Sequence, residues 1–136
     1  QPFEKILNNY YYIAENTSSW FAAMHKCREF GADLVNFETR KDFEAVRNNL
    51  SKKKCYWIGL SNLSEDGEYH SITTGLSPSF TMWNTNEPNN KNGNEHCAQL
   101  IDYSSVNLKM NDNHCLDLCL FICQTKLPHQ INFVIW

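Results

Sequence analysis

The chain has 136 residues, 42% hydrophobic and 20% charged, with a formal net charge of −3. That composition excludes wholesale disorder, and the lack of a basic excess argues against nucleic acid as a partner. No apolar run approaches the roughly 20 residues of a membrane-spanning helix, so no membrane insertion is expected.

In chain order, the β-prone segment 10–13 reads as a first strand. A helix follows, capped by Thr17 or Ser18, because Trp20, Ala23, Cys27 and Phe30 recur at spacings of three, four and three and so share one face. Gly31 supplies its stop. A second helix starts at Thr39, with Asp42 as a weak capping-box partner and Phe43, Val46 and Leu50 as its apolar stripe. Lys52, Lys53 and Lys54 read as a solvated loop. Residues 56–60, 80–83, 97–101 and 118–123 read as further short strands. Between them, residues 61–94 form a long turn-rich interval, and such intervals often carry function. Its end, 84–94, is Asn-rich and reads as too polar for the core. The tail, 131–136, is apolar and β-prone and is expected to pair as an extra strand with residues 2–7. Two early helices followed by several strands indicate α+β rather than α/β, in one domain over 1–136.

Six cysteines without a CxxC pair disfavour redox or zinc-ribbon chemistry and favour disulfides, although arithmetic alone allows 15 pairings. Sequons at Asn16, Asn49 and Asn62 agree with an oxidising, extracellular compartment. A start at Gln1, without Met or an apolar leader, reads as a mature secreted chain.

The chemistry concentrates in Glu87, Asn89, Glu95, Asn111 and Asp112, five oxygen-bearing side chains in two short segments next to Cys97 and Cys115. Hard oxygen donors without His or thiolate suit calcium rather than zinc. A cis bond between Glu87 and Pro88 would aim side chains 87 and 89 the same way. A lone Glu-Pro-Asn would usually be a turn; five positions in register with two cysteines are far more specific. The rest of the chain offers little competing chemistry. His25, His70, His96, His114 and His129 are scattered. The serines lack a nucleophile elbow. Trp57 and Trp83 read as core.

Glu87-Pro88-Asn89, Glu95-His96-Cys97 and Asn111-Asp112 with Cys115, together with 57–60, 121–123 and the first helix with Cys27, resemble the C-type lectin-like domain, mannose type. The resemblance covers about residues 10–125; the opening segment 2–6 and the apolar tail look similar to secreted insect lectins. It implies two helices flanking short antiparallel sheets, with a long calcium-binding loop region. It implies that Glu87, Asn89, Glu95, Asn111 and Asp112 ligate one Ca2+, and that two neighbouring sugar hydroxyls complete the shell. In the family, Glu-Pro-Asn accompanies equatorial 3- and 4-hydroxyls, as in mannose, and Gln-Pro-Asp accompanies galactose. The implied partners are mannose-type glycans on microbial or host surfaces, and oligomerisation is compatible with that role.

The resemblance also pairs Cys27 with Cys123 and Cys97 with Cys115, leaving Cys55 and Cys119 for a third bridge. Two departures stand out. Met110 replaces the family's Trp before Asn111-Asp112. Asn62, Asn90 and His96 occupy much of the set that elsewhere holds a second calcium, so that site is expected to be absent or weak. Two alternatives remain: a lectin-like domain that binds a protein without sugar activity, and a glycoside hydrolase built on Glu87 and Glu95. The second is disfavoured because calcium would hold both carboxylates ionised.

Overall fold

Both helices form close to where their caps place them, in a computed structural model that describes residues 2–64, 67–90, 93–103 and 106–126. Helix α1 (Trp20–Glu29) is capped by Ser19, whose hydroxyl accepts from the Ala22 N–H at 3.2 Å. The expected caps, Thr17 and Ser18, lie just outside. Ser18 exchanges backbone hydrogen bonds with Cys119 in both directions, which holds it extended, so the helix begins after it. Gly31 follows the helix at φ 73°, a left-handed conformation that suits glycine. Helix α2 (Arg40–Arg47) is capped by Thr39, which accepts from the Asp42 N–H at 3.1 Å.

Eight strands accompany them: β1 (Glu4–Ile6), β2 (Asn9–Ile13), β3 (Asp33–Leu34), β4 (Tyr56–Ser61), β5 (His70–Ser71), β6 (Cys97–Ile101), β7 (Lys109–Asn113) and β8 (Leu120–Thr125). They join in the order β1-β2-β8-β4-β6-β7, with β3 added on β8 and β5 on β4. Every pairing is antiparallel except β4 with β8, so the sheet is mixed and the fold α+β. β3 passes so close to β4 that a Cβ on Gly59 would collide with the Leu34 carbonyl and lie 2.6 Å from the Asn36 amide nitrogen.

Two sequence expectations change. Residues 80–83 form no strand. Only Trp83 bridges to Met110, and the Met110 N–H donates to the Met82 carbonyl at 2.7 Å. The last strand begins at Leu120 rather than 118 and runs to Thr125. The segment around residues 2–7 contributes β1, which pairs with β2. The expected partner, the tail at 131–136, lies outside the described residues.

The sheet separates two apolar clusters. One gathers Phe43 and Val46 of α2 with Tyr56, Ile58, Leu100, Met110 and Ile122. The other gathers Trp20, Ala23 and Cys27 of α1 with Leu34, Trp57 and Phe121. Each buried indole nitrogen finds an acceptor: Trp20 donates to the Ile58 carbonyl and Trp57 to the Ser18 carbonyl, both at 2.9 Å. Trp57 is core, as read. Disulfides join Cys27 to Cys123, Cys55 to Cys119 and Cys97 to Cys115.

Candidate functional site

The site is assembled from one strand and one loop. β7 carries Asn111 and Asp112, and pairs with β6 in the register Gln99↔Asn111 and Ala98↔Asp112. Both side chains are buried, Asp112 completely. Sequence reading placed these residues at the site but did not recognise their strand, because Lys-Met-Asn-Asp-Asn lacks the β-branched and aromatic residues of a typical strand. The Cys97–Cys115 bridge closes the β6–β7 pair just beyond the site.

The loop hangs on β7 through side chains. Asp112 accepts the Asn89 N–H at 3.1 Å on one carboxylate oxygen and the Asn90 N–H at 2.5 Å on the other. The Glu87–Pro88 bond is cis, and Asn86 and Asn90 on either side take positive φ values of 68° and 46°. The Asn89 amide donates to a Glu87 carboxylate oxygen at 3.3 Å, so side chains 87 and 89 do project together. Glu95 joins the loop through its N–H, which donates to the Asn90 side-chain oxygen at 3.1 Å.

Electrostatics set this group apart. One Glu87 oxygen is buried and meets no donor among the described residues. The neighbouring carboxylate of Asp112 is also an acceptor, so their contact becomes a hydrogen bond only when one of them is protonated. Burial first, then the contact and charge of Asp112, then Glu95, push the Glu87 carboxyl up to about 7. Such a cluster calls for a proton or a cation. Among the described residues, no three acidic, His or Cys side chains gather tightly enough to cage an ion alone. A cage here therefore needs the amide oxygens of Asn89 and Asn111 beside the carboxylates. That all-oxygen donor set fits calcium.

Two supporting residues escaped sequence reading. Asn84, first of the stretch judged too polar for the core, is buried. Its amide lies 3.2 Å from the carbonyls of Ile101, Lys109 and Met110 and pins the loop to β6 and β7. A buried Asn with backbone partners leaves no periodic signature. Tyr69 packs edge-on against Trp83 at 5.1 Å. Burial first, then Asp112, Glu95 and Glu87, push its phenol pKa up. Tyr69 and Asp112 line a cleft of about 480 Å³ with Asn62, Trp83, Pro88 and Asn90.

His96 stands with its Nδ1 3.0 Å from the Asn62 side-chain oxygen and its Nε2 3.2 Å from the Gly93 carbonyl. Asn62, Asn90 and His96 thus lie near one another, where a second cation was weighed, while residues 65 and 66 lie outside the described set. Of the sequons, Asn16 and Asn49 are exposed and Asn62 is half-buried.

Comparison with known proteins gives a consistent set of relatives. The model of the lectin C-type domain matches residues 16–125. C-type lectin 37Db of Drosophila melanogaster is 37% identical over 114 residues, covering 84% of this chain and 75% of that protein. The C-type lectin domain of murine dendritic cell inhibitory receptor 2, solved with an N-glycan, superposes with a TM-score of 0.82 at 26% identity, over 93% of this chain and 98% of that one. The SPL-1–GlcNAc complex superposes at 0.79 and 27% identity, over 93% of each chain.

Proposed function

The chain belongs to the C-type lectin domain family, whose members are binding domains and not enzymes, and on that premise we propose that it is a secreted, calcium-dependent lectin for mannose-type sugars. The observation that carries the proposal is the juxtaposition of Glu87, Asn89 and Asp112, with a buried Glu87 oxygen that has an acceptor rather than a donor for a neighbour. Two of the structural relatives hold glycans, and the three disulfides suit an oxidising compartment.

Glu87, Asn89, Glu95, Asn111 and Asp112 would hold one calcium ion. Bound calcium would offer open coordination positions to two neighbouring sugar hydroxyls. The residues then read the sugar. Ionised Glu87 and Glu95 accept the hydroxyl protons, while the amide NH2 groups of Asn89 and Asn111 donate to the hydroxyl oxygens. The order carboxylate at 87, amide at 89 sets which pair of hydroxyls finds complementary partners. For this Glu-Pro-Asn order we assign equatorial 3- and 4-hydroxyls. Binding in the extracellular calcium range corresponds to dissociation constants of about 10⁻⁴–10⁻³ M. Useful avidity toward a microbial or host surface then comes from repetition of the glycan or clustering of the protein.

The test is retention on a mannan resin in millimolar calcium, followed by elution with a chelator. Retention that persists in chelator, or calorimetry showing no calcium uptake by the folded chain, overturns the proposal. Retention on a protein partner in chelator would point instead to a lectin-like domain without sugar activity.

A further inference from the structure

A second cavity, of about 330 Å³, opens outside the candidate site, and its volume is in the range of small-molecule pockets. One wall is the paired ends of β3 and β8, in the register Asp33↔Gln124. The other is the segment 71–79, which begins at the end of β5. Asn36 ties the walls together. Its backbone N–H donates to the Gln124 side-chain oxygen at 3.0 Å, and its amide donates to the Thr73 hydroxyl oxygen at 3.3 Å. The second wall is also braced from within. The hydroxyl oxygen of buried Ser71 accepts the N–H groups of Thr73 and Thr74 at 3.2 and 3.3 Å, and the Thr74 hydroxyl oxygen accepts the Leu76 N–H at 3.0 Å. The cavity is therefore formed before any ligand arrives, which keeps the cost of ordering on binding low.

These bonds use acceptors and leave donors. A hydroxyl whose oxygen accepts from the protein still has its own proton to give, and a carboxamide held by its oxygen presents its NH2. The walls thus offer the O–H groups of Thr73 and Thr74 and the NH2 of Gln124, with the Ser79 hydroxyl beside them. Such donors call for a ligand rich in oxygen acceptors. The charges decide which kind of oxygen. Asp33 is already paired with Arg28 at 2.6 Å, and the exposed Glu38 and Lys126 carry opposite signs. That balance favours neither an anion nor a cation but neutral oxygens, the hydroxyl and ether oxygens of a saccharide. The position of the cavity agrees with that chemistry. Ser77 lines both this cavity and the cleft of about 480 Å³ beside Asp112, so the two spaces adjoin at one residue.

We propose that this cavity is a second, metal-free saccharide subsite, which receives inner sugars of an oligosaccharide whose terminal mannose sits at the Glu87–Asn89–Asp112 cluster. The proposal rests on the lectin reading given above. It gives the walls at β3, β8 and 71–79 a role in choosing among glycans that share one terminal sugar.

Calorimetry in millimolar calcium with methyl α-mannoside and with a linear mannose pentasaccharide tests it on the wild type, Ser79→Ala and Ser79→Trp. The wild type should bind the pentasaccharide tighter by a factor on the order of ten, the worth of one or two added hydrogen bonds. Ser79→Ala leaves the cavity open and should retain most of that ratio. Ser79→Trp fills the cavity and should bring the ratio to about two or less. Because Ser79 is exposed and lies in the smaller cavity, both variants should fold and bind the monosaccharide as the wild type does. An unchanged thermal midpoint checks the folding. An unaltered ratio in Ser79→Trp, or a wild-type ratio of about one, overturns the subsite and leaves the lectin reading standing. A wild type that binds neither glycoside overturns the lectin reading and this inference with it.

Discussion

Glu87 is the residue where the energetics of the site are most visible. Its carboxyl, raised to about 7 from an ordinary value of 4.5, holds its proton more tightly in the folded chain than in the unfolded one. The stability it contributes is therefore present below about 4.5 and lost as pH rises through about 7. In chelator, the thermal midpoint should fall between pH 5.5 and pH 8 in so far as Glu87 controls it. In millimolar calcium the trend should reverse, because the metal needs the ionised form and acid releases it. Thermal denaturation at both pH values, with and without chelator, reads the two slopes; parallel slopes would remove Glu87 from the ligand set. The neighbouring Asn89 controls selectivity. Exchanging the two chemistries in Glu87→Gln with Asn89→Asp keeps the oxygen count but reverses the donor–acceptor order. The double variant should shift preference from mannose toward galactose on paired sugar resins, and an unshifted preference would break the link between this order and the sugar.

At the level of elements, the loop is only as well placed as its ties to the strands. Asn84 supplies the most central tie, through three backbone carbonyls. Asn84→Ala leaves buried carbonyls short of a donor and should cost about 1–3 kcal/mol in denaturant unfolding. It should also weaken calcium uptake, since Glu87 and Asn89 follow within the same loop. An unchanged calcium affinity would show that the loop is positioned by other contacts. Elements also differed in how far the sequence revealed them. Both helices were legible because capping and apolar periodicity are local: Thr39 caps α2 as read, and α1 moved only to Ser19 because a long-range pairing claimed Ser18. β2 and β4 were legible from aromatic and β-branched runs, and β6 from a short, mostly apolar one. The two-residue β3 and β5 were not, since their pairing is dictated by partners far away in sequence. β7 was hidden by its polar composition, and residues 80–83 look like a strand but serve as a buttress under Met110. The five candidate site residues stand out as a spaced motif, whereas Asn84 and Tyr69 follow no spacing rule and emerge only from three-dimensional packing.

Across the whole molecule, covalent links and packing share the work of stability. Cys27–Cys123 ties α1 to β8, and Cys97–Cys115 closes the site strands. Cys55–Cys119 is different in kind, because it joins the approaches to β4 and β8, the sheet's parallel pair. It spans 64 residues, and on the chain-entropy model its loss costs about 4 kcal/mol. Replacing both cysteines by alanine should lower the thermal midpoint by on the order of 10 °C and leave the sugar preference unaltered, since neither residue reaches the loop. Loss of sugar binding in a variant that still melts cooperatively would mean that this bridge shapes the site.

Half of the candidate site is built into hydrogen-bonded sheet, and the other half is suspended from it by a handful of side-chain anchors. Substitutions among the exposed letters of the suspended half can therefore accumulate without disturbing the framework beneath. A gene encoding such an architecture can change what it recognises far faster than it changes shape, an asset wherever the surfaces to be distinguished are themselves evolving.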